Sequence, residues 1–266
     1  MRKGIVLVSM VLLIYICIYP QGAMANEKIK IEVEMFYKQL IHKPQFRGLS
    51  NYQSIIGSPY SYEAQVNNEE IIKYSTENRN GGRSGKGVRV SVIKDLKSSD
   101  RVMLGKARLG LGLSLSLAQY KDKVTSYPIT FTSSRCSFED WREEKYRINL
   151  FTFEPNLTAN LNYPIEIPVK IKFGVSFPIS VLDIDLSYKE IANKLIWVDK
   201  SEGVKFRAGF GVFCGIVYKI TNEIAIGIKG RYRTYFNQKI EKRVGPSIFL
   251  TELDNWEVGG VVTMKF

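Results

Sequence analysis

Hydrophobic and polar residues alternate in separate stretches along the chain after residue 28. The stretch 108–117 shows the pattern most clearly, because leucine occupies every odd position and arginine, glycine or serine every even one. Side chains of a β-strand point alternately to its two sides, so this pattern predicts a strand with one apolar face and one face of small or polar residues. The same alternation recurs at 28–37, 88–93, 151–163, 169–180, 204–218, 224–236 and 256–266. The sequence therefore predicts eight strands.

The connections between these strands are alternately long and short. The long ones are 42–86, 119–145, 183–202 and 237–254, and we expect a short helical turn at 188–194. Within the strand 151–163, Pro155 predicts a bulge or bend. Outer-membrane barrels combine tight periplasmic turns with long extracellular loops. We therefore predict an all-β fold, an eight-stranded antiparallel transmembrane β-barrel with four long extracellular loops. A soluble barrel would turn its apolar face inward instead.

The stretch 256–266 is predicted to close the barrel against the first strand. An open sheet edge in lipid would leave backbone groups without hydrogen-bond partners. Trp256 and Phe266 lie at the two ends of its apolar face, as expected for aromatic girdles. The stretch resembles the closing strands of bacterial outer-membrane barrels, so Trp256, Met264 and Phe266 are expected to carry a signal for the barrel-assembly machinery. The paired glycines at 259 and 260 do not follow that pattern.

Residues 1–25 have the features of a signal peptide. A basic start at Arg2 and Lys3 precedes an apolar run at 5–19 and an Ala-x-Ala site that ends at Ala25. We expect cleavage after Ala25, which leaves 26–266 as one barrel domain. The predicted location is the bacterial outer membrane, with the loops facing the exterior.

Four segments of the chain form a recognisable set: Met-Phe-Tyr-Lys-Gln-Leu at 35–40, Pro-Gln-Phe-Arg-Gly at 44–48, Ile-Gly-Ile-Lys-Gly-Arg-Tyr-Arg at 226–233 and the end of the chain. With these segments the chain resembles the rickettsial surface-antigen family, the major outer-membrane proteins of obligate intracellular bacteria. The resemblance implies a surface antigen with a host-contact or structural role, and some members of the family behave as porins. The partners it implies are outer-membrane lipids and a ligand on the host-cell surface.

Charge adds a second functional alternative. The formal net charge is +12, and Arg2 and Lys3 contribute two of these charges. Buried charges need partners, so we expect Glu32, Glu154 and Glu257 to pair with some of the basic residues on the inner face. A hydrated remainder would make a small anion-preferring channel, whereas full pairing would plug the narrow lumen. Charge spread over strand faces in an exported chain does not predict nucleic-acid binding. The basic residues predicted to face the lumen are Arg89, Arg108, Lys170, Lys172, Lys205, Arg207, Lys229, Arg231 and Arg233.

Catalytic chemistry has little support in the sequence. His42 is the single histidine, which excludes a zinc site built from several imidazoles. With Ser50 or Ser54 it leaves a membrane-embedded lipid-modifying enzyme as a remote third alternative. The isolated Cys136 and Cys214 predict no disulfide. We predict no catalytic residues, no metal and no cofactor.

Overall fold

The computed structural model describes residues 29–48, 61–66, 70–75, 79–96, 107–126, 128–131, 141–162, 168–192, 195–237, 239–245 and 247–266. The predicted signal peptide and Cys136 lie outside these residues. No helix among the described residues is long and apolar enough to cross a membrane. The described strands are β1 (Ile29–Leu40), β2 (Gln45–Gly48), β3 (Ser61–Val66), β4 (Glu70–Ser75), β5 (Arg79–Asn80), β6 (Ser84–Asp95), β7 (Ala107–Ser126), β8 (Pro128–Phe131), β9 (Trp141–Asn162), β10 (Val169–Ser176), β11 (Ile179–Ala192), β12 (Leu195–Lys219), β13 (Ile224–Tyr235), β14 (Lys239–Val244), β15 (Ser247–Glu252) and β16 (Asn255–Lys265).

The main sheet is a closed ring with eight strand positions. Its order is β1, β6, β7, β9, β10 with β11, β12, β13 and β16, and every neighbouring pair is antiparallel. β10 and β11 share one position, because both pair with β9 and with β12 in an unbroken register. They are separated only at Phe177 and Pro178, and Pro178 has no N–H to donate. The predicted antiparallel eight-stranded barrel is confirmed.

β1 and β16 close the ring, with Lys30 opposite Lys265 and Leu40 opposite Asn255. A path that starts at Lys30 and follows paired residues once around the ring ends at Leu40, ten residues further along β1. This stagger is what forces the strands of a closed barrel to tilt, by about 35–45°. We call the end of the barrel where β1 begins and β16 finishes the terminus end, and the opposite end the hairpin end.

The outer wall of the ring is apolar. Its exposed side chains form a continuous belt that includes Met35, Val88, Val90, Leu109, Leu111, Leu117, Phe153, Leu157, Ile171, Phe173, Ile179, Val204, Phe206, Phe210, Val212, Ile216, Ile226, Ile228, Trp256, Val258 and Val262. The inner wall of the same strands carries glycine, serine, threonine and charge, as on β6 and β7, where the inward Ser91 receives a hydrogen bond from Ser114 at 2.9 Å. An apolar exterior around a polar interior is the sidedness of a wall that faces lipid.

The hydrophobic core lies at the hairpin end, where this sidedness reverses. There the inward side chains are apolar, as at Ile148 on β9 and Leu182 and Ile184 on β11, all fully buried. A second sheet, in the order β14-β15-β2-β5, contributes Phe46, Ile240 and Phe249 to the same core. β3, β4 and β8 form a third, small sheet.

The predicted long connections are largely strands. β7 runs to Ser126 and β9 begins at Trp141, so much of 119–145 is hairpin. The helical turn expected at 188–194 is wrong, because β11 and β12 continue as a hairpin in which Tyr188 pairs with Asp199. The bulge expected at Pro155 is also wrong, since Pro155 lies opposite Leu113 in a register that does not shift along β7 and β9.

The two adjacent glycines of β16 should respond differently to substitution. A Cβ on inward Gly259 would lie 2.6 Å from the Met35 carbonyl oxygen and 2.8 Å from Phe36 Cβ, whereas one on outward Gly260 would meet nothing within 4 Å. We expect Gly259→Ala to lower the free energy of unfolding by about 1–3 kcal/mol through overpacking. Gly260→Ala, the matched control, should be neutral or stabilising by up to about 1 kcal/mol. Urea unfolding in detergent micelles measures both, and equal midpoints would contradict this packing of β1 on β16.

Candidate functional site: a charged lumen and its folded cap

The middle of the lumen is filled by a layer of buried charges, which we call the ion-pair layer. Each of its side chains belongs to a residue at most 3% exposed. Six strands supply them, so the layer connects opposite walls of the barrel. Its members are the carboxylates Glu32, Glu34, Glu154 and Glu257 and the cations Lys38, Arg89, Lys172, Lys229, Arg231 and Arg233.

Glu257 on the closing strand is the central acceptor of the layer. It receives hydrogen bonds from Arg233 and, at 2.5 Å, from Arg89. Lys38 Nζ lies 3.0 Å from the same carboxylate. These cations come from β13, β6 and β1, so one side chain of β16 joins three other strands. Charge-assisted hydrogen bonds of this kind are roughly twice as strong as neutral ones.

Glu154 and Glu32 hold the rest of the layer. Glu154 accepts hydrogen bonds from Arg233, and Arg231 Nη1 lies 2.6 Å from it. Glu32, nearer the terminus end, binds Lys172 and, at 2.8 Å, Lys229. Because the six cations outnumber the four carboxylates, the layer has a positive excess.

Two inward aromatic rings offset part of that excess. The guanidinium of Arg89 lies 4.6 Å from the centre of the Phe36 ring, and that of Arg231 lies 4.9 Å from the centre of the Phe213 ring. The ring face attracts a cation, more strongly where water is excluded. Both rings share the parity of the inward charged residues on their strands, Phe36 with Glu34 and Phe213 with Arg207.

The core at the hairpin end, here called the cap, lies directly on the ion-pair layer. Lys38 of the layer lies 6.0 Å over the ring of Tyr120, which belongs to the cap. The rings of Phe46, Tyr146 and Phe249 stack with centroids 5.1–6.5 Å apart. The cap therefore covers the hairpin end of the lumen with packed apolar side chains.

Two buried tyrosines of the cap have hydrogen-bond partners, whereas the Tyr120 hydroxyl has none among the described residues. Tyr146 donates a hydrogen bond to the Gly82 carbonyl, and Tyr188 donates one to Glu190. Burial raises the pKa of the Tyr146 phenol above its usual range, and nearby Asp122 raises it further. Burial likewise raises the pKa of Tyr188, although Arg142 opposes the shift. Both phenols thus remain neutral donors at neutral pH.

The structure separates the predicted lumen residues into three groups. The ion-pair layer contains Arg89, Lys172, Lys229, Arg231 and Arg233, together with Glu32, Glu154 and Glu257. Arg108 and Lys170 line a cavity at the terminus end. Lys205 and Arg207 have the inward parity but lie half-exposed at the hairpin end, where Arg207 donates to the Phe206 carbonyl at 2.8 Å.

Lys205 and Arg207 lie outside the ion-pair layer because β13 ends at Tyr235, opposite Gly209, whereas β12 continues beyond that point. Lys205 and Arg207 therefore have no facing strand in the ring on that side.

Lys38 was missed by sequence reasoning, although it shares its parity with Glu32 and Glu34. That shared parity was the available signal.

The residues expected to form the assembly signal lie on the outer surface. Trp256 is 58% exposed and packs on Tyr232 with ring centroids 4.7 Å apart. Phe266 is exposed and Met264 half-buried. Recognition by assembly machinery stays a prediction.

His42 lies on the surface of the second sheet. Its Nε2 is 3.2 Å from Glu252 Oε2, and with Lys43 and Arg47 it lines a cavity of about 570 Å³. Ser50 and Ser54 lie outside the described residues. Within the described part of the chain, no three His, Cys, Asp or Glu residues are grouped so that they could hold a metal ion.

Comparison with known proteins returns matches of architecture only. No family model and no curated protein matches the chain. Outer membrane protease OmpT from Escherichia coli is 10% identical, with 92% of this chain and 98% of that chain covered and a TM-score of 0.47. Neisserial surface protein A is 11% identical, with coverages of 90% and 97% and a TM-score of 0.37. The attachment invasion locus protein Ail of Yersinia pestis, solved with a heparin analogue, is 7% identical, with coverages of 90% and 99% and a TM-score of 0.34. Likenesses this weak show no shared activity or ligand.

Removing the charge of Glu257 should destabilise the barrel strongly. Glu257→Gln leaves Lys38, Arg89 and Arg233 buried without their shared counter-charge, and breaking a buried ion pair typically costs about 3–5 kcal/mol. The control is Glu241→Gln, an exposed carboxylate on β14, which should change the free energy of unfolding by less than about 0.5 kcal/mol. Urea unfolding followed by circular dichroism measures both. Equal stability of the two variants would contradict the proposed role of the ion-pair layer.

Proposed function

We propose that this chain is a bacterial outer-membrane surface protein, whose barrel anchors it and whose hairpin end is displayed outside the cell. The observation that carries this proposal is the reversal of sidedness along single strands. On β9 the outward side chains change from Phe153 and Phe151 to Asn149, Arg147 and Lys145 towards the hairpin end. On β11 they change from Ile179 and Val181 to Asp183 and Asp185. A wall that leaves lipid and enters water requires this change.

The connections support the orientation. At the terminus end, β12 and β13 are joined by the short segment 220–223, whereas β7, β9, β11 and β12 extend far beyond the apolar belt at the hairpin end. Outer-membrane barrels have short periplasmic turns and long extracellular extensions. The terminus end is therefore assigned to the periplasm, and lipid contacts the apolar belt between the two ends.

The displayed surface is a folded platform rather than a set of separate loops. The hairpins carry charged side chains that form ion pairs, such as the one between Arg147 and Asp185. The β14-β15-β2-β5 sheet adds Lys43, Arg47 and Lys239 beside His42. A surface-antigen or host-contact role would use this platform. Membership of the rickettsial surface-antigen family stays a prediction.

The filled lumen favours this role over the anion-preferring channel. The ion-pair layer occupies the middle of the barrel, and the cap packs over its hairpin end. An ion would have to displace charge-assisted hydrogen bonds and then cross an apolar core.

The orientation predicts which introduced cysteines react from outside the cell. In a background carrying Cys136→Ser and Cys214→Ser, Lys200→Cys at the hairpin end should be labelled by a membrane-impermeant maleimide on intact cells. Asn222→Cys, equally exposed but at the terminus end, should be labelled only after the outer membrane is permeabilised. Labelling of Asn222→Cys alone on intact cells would reverse the orientation, and heat-independent gel migration would argue against a membrane barrel.

Conductance of the purified protein tests the channel alternative directly. In planar bilayers we expect no stepwise channel openings with chloride, phosphate or gluconate salts, because the ion-pair layer and the cap fill the lumen. Single-channel steps that favour anions, and that are absent from a heat-unfolded sample, would overturn the interpretation of a plugged barrel.

A further inference from the structure

The terminus end of the lumen is an open, strongly basic cavity, which we call the terminal cup. It has a volume of about 410 Å³. Two carboxylates, Glu32 and Glu223, also line it, together with neutral polar groups such as Asn160 and Thr263. Its basic lining residues are Lys30, Arg108, Lys170, Lys172, Lys219 and Lys265.

Of the two carboxylates that line the cup, Glu32 is already engaged, whereas Glu223 is exposed. Lys172 binds Glu32, which Lys229 binds from the other side. Lys30 pairs at 2.6 Å with Asp95, and the Lys219 ammonium donates a hydrogen bond to Asn222 at 2.7 Å. Arg108 and Lys170, in contrast, pair with no carboxylate that the structure describes.

Like charges are forced together in this cup by the strand register. Lys30 lies directly opposite Lys265 across β1 and β16. Arg108 and Lys172 flank Asn160 in one row across β7, β9 and β10. Like charges in opposite positions of neighbouring strands, such as Lys30 and Lys265, destabilise a sheet, and Asp95 offsets the charge of Lys30. With six basic and two acidic lining residues, the cup keeps a positive excess that an anion would offset.

We propose that the terminal cup is a binding site for a phosphate group, either free or carried by a phospholipid headgroup. Arg108 supplies a planar fork of donors that suits phosphate oxygens, and Lys170 supplies a mobile ammonium group. Lys172, buried and held by Glu32, forms a fixed floor to the site, while Asn160 and Asn222 supply neutral donors. The volume exceeds that of a single phosphate, so a phosphate ester fits as well. This site depends on the barrel alone and not on the role of the displayed surface.

Phosphate binding to the folded protein in a maltoside detergent, at constant ionic strength, tests the proposal. Titration calorimetry with inorganic phosphate, and separately with short-chain phosphatidylglycerol, should show one saturable site per chain for at least one of them. The double variant Arg108→Gln/Lys170→Gln should weaken that binding by about a hundredfold, since each of the two charged hydrogen bonds contributes about tenfold. The control Lys43→Gln/Arg47→Gln removes the same charge from the exposed second sheet and should leave the affinity unchanged.

The two ligands distinguish the source of the phosphate. Binding of inorganic phosphate that the lipid does not displace identifies a free phosphate site, whereas tighter binding of the lipid identifies a headgroup site. Both results support the proposal if the cup variant alone loses affinity. Absence of saturable binding of either ligand, or equal loss in the cup and control variants, would overturn it. Lys170→Arg, which keeps the charge, should retain binding even if the double variant folds poorly.

Discussion

This structure depends on one constraint: each buried charge must have a partner. Each cation and carboxylate in the ion-pair layer has been removed from water, which costs several kcal/mol per ion unless its hydrogen bonds are replaced. Glu257 and Glu154 replace them by accepting hydrogen bonds from Arg89 and Arg233, and Arg231 forms an ion pair with Glu154. These contacts exist only when β16 is paired with β1 and β13 in one register. A slip of one residue would move every charge of a strand to the lipid side. The layer therefore specifies the closure of the ring and at the same time fills the space a channel would need.

The second feature of the fold is that the same strands pass through two different surroundings. Over the apolar belt they bury charge inward and present Phe, Leu, Ile and Val outward. Beyond it they bury Tyr146, Ile148 and Leu150 inward and present charge to solvent. The cap is thus built like the core of a soluble β-protein and is continuous with the barrel wall. A rigid surface that projects in this way pre-organises any contact made on it, which lowers the ordering cost of binding.

The sequence was sufficient for the eight strand positions, the closure by 256–266 and the inward parity of every basic residue assigned to the lumen. It did not reveal the cap, because alternation with the apolar residues outward does not extend to the hairpin end. The point of reversal is visible as two adjacent apolar residues, Leu150-Phe151 on β9 and Val181-Leu182 on β11. The position of each inward side chain along the barrel axis was not predictable either. Whether Arg207 or Arg233 joins the ion-pair layer depends on the ten-residue stagger of the ring and on where β13 ends, neither of which local alternation encodes.

The passage of one continuous wall from lipid to water, with reversal of its sidedness, can be tested along β9. Spin labels placed singly at Lys145, Arg147, Asn149, Phe151, Phe153 and Leu157 in the bilayer-reconstituted protein report collisions with oxygen, which concentrates in lipid, and with a water-soluble nickel chelate. We expect nickel contact at Lys145 and Arg147, oxygen contact at Phe153 and Leu157, and the change from one to the other between Asn149 and Phe151. Uniform nickel contact along all six positions, or lipid contact that continues through Lys145, would contradict it.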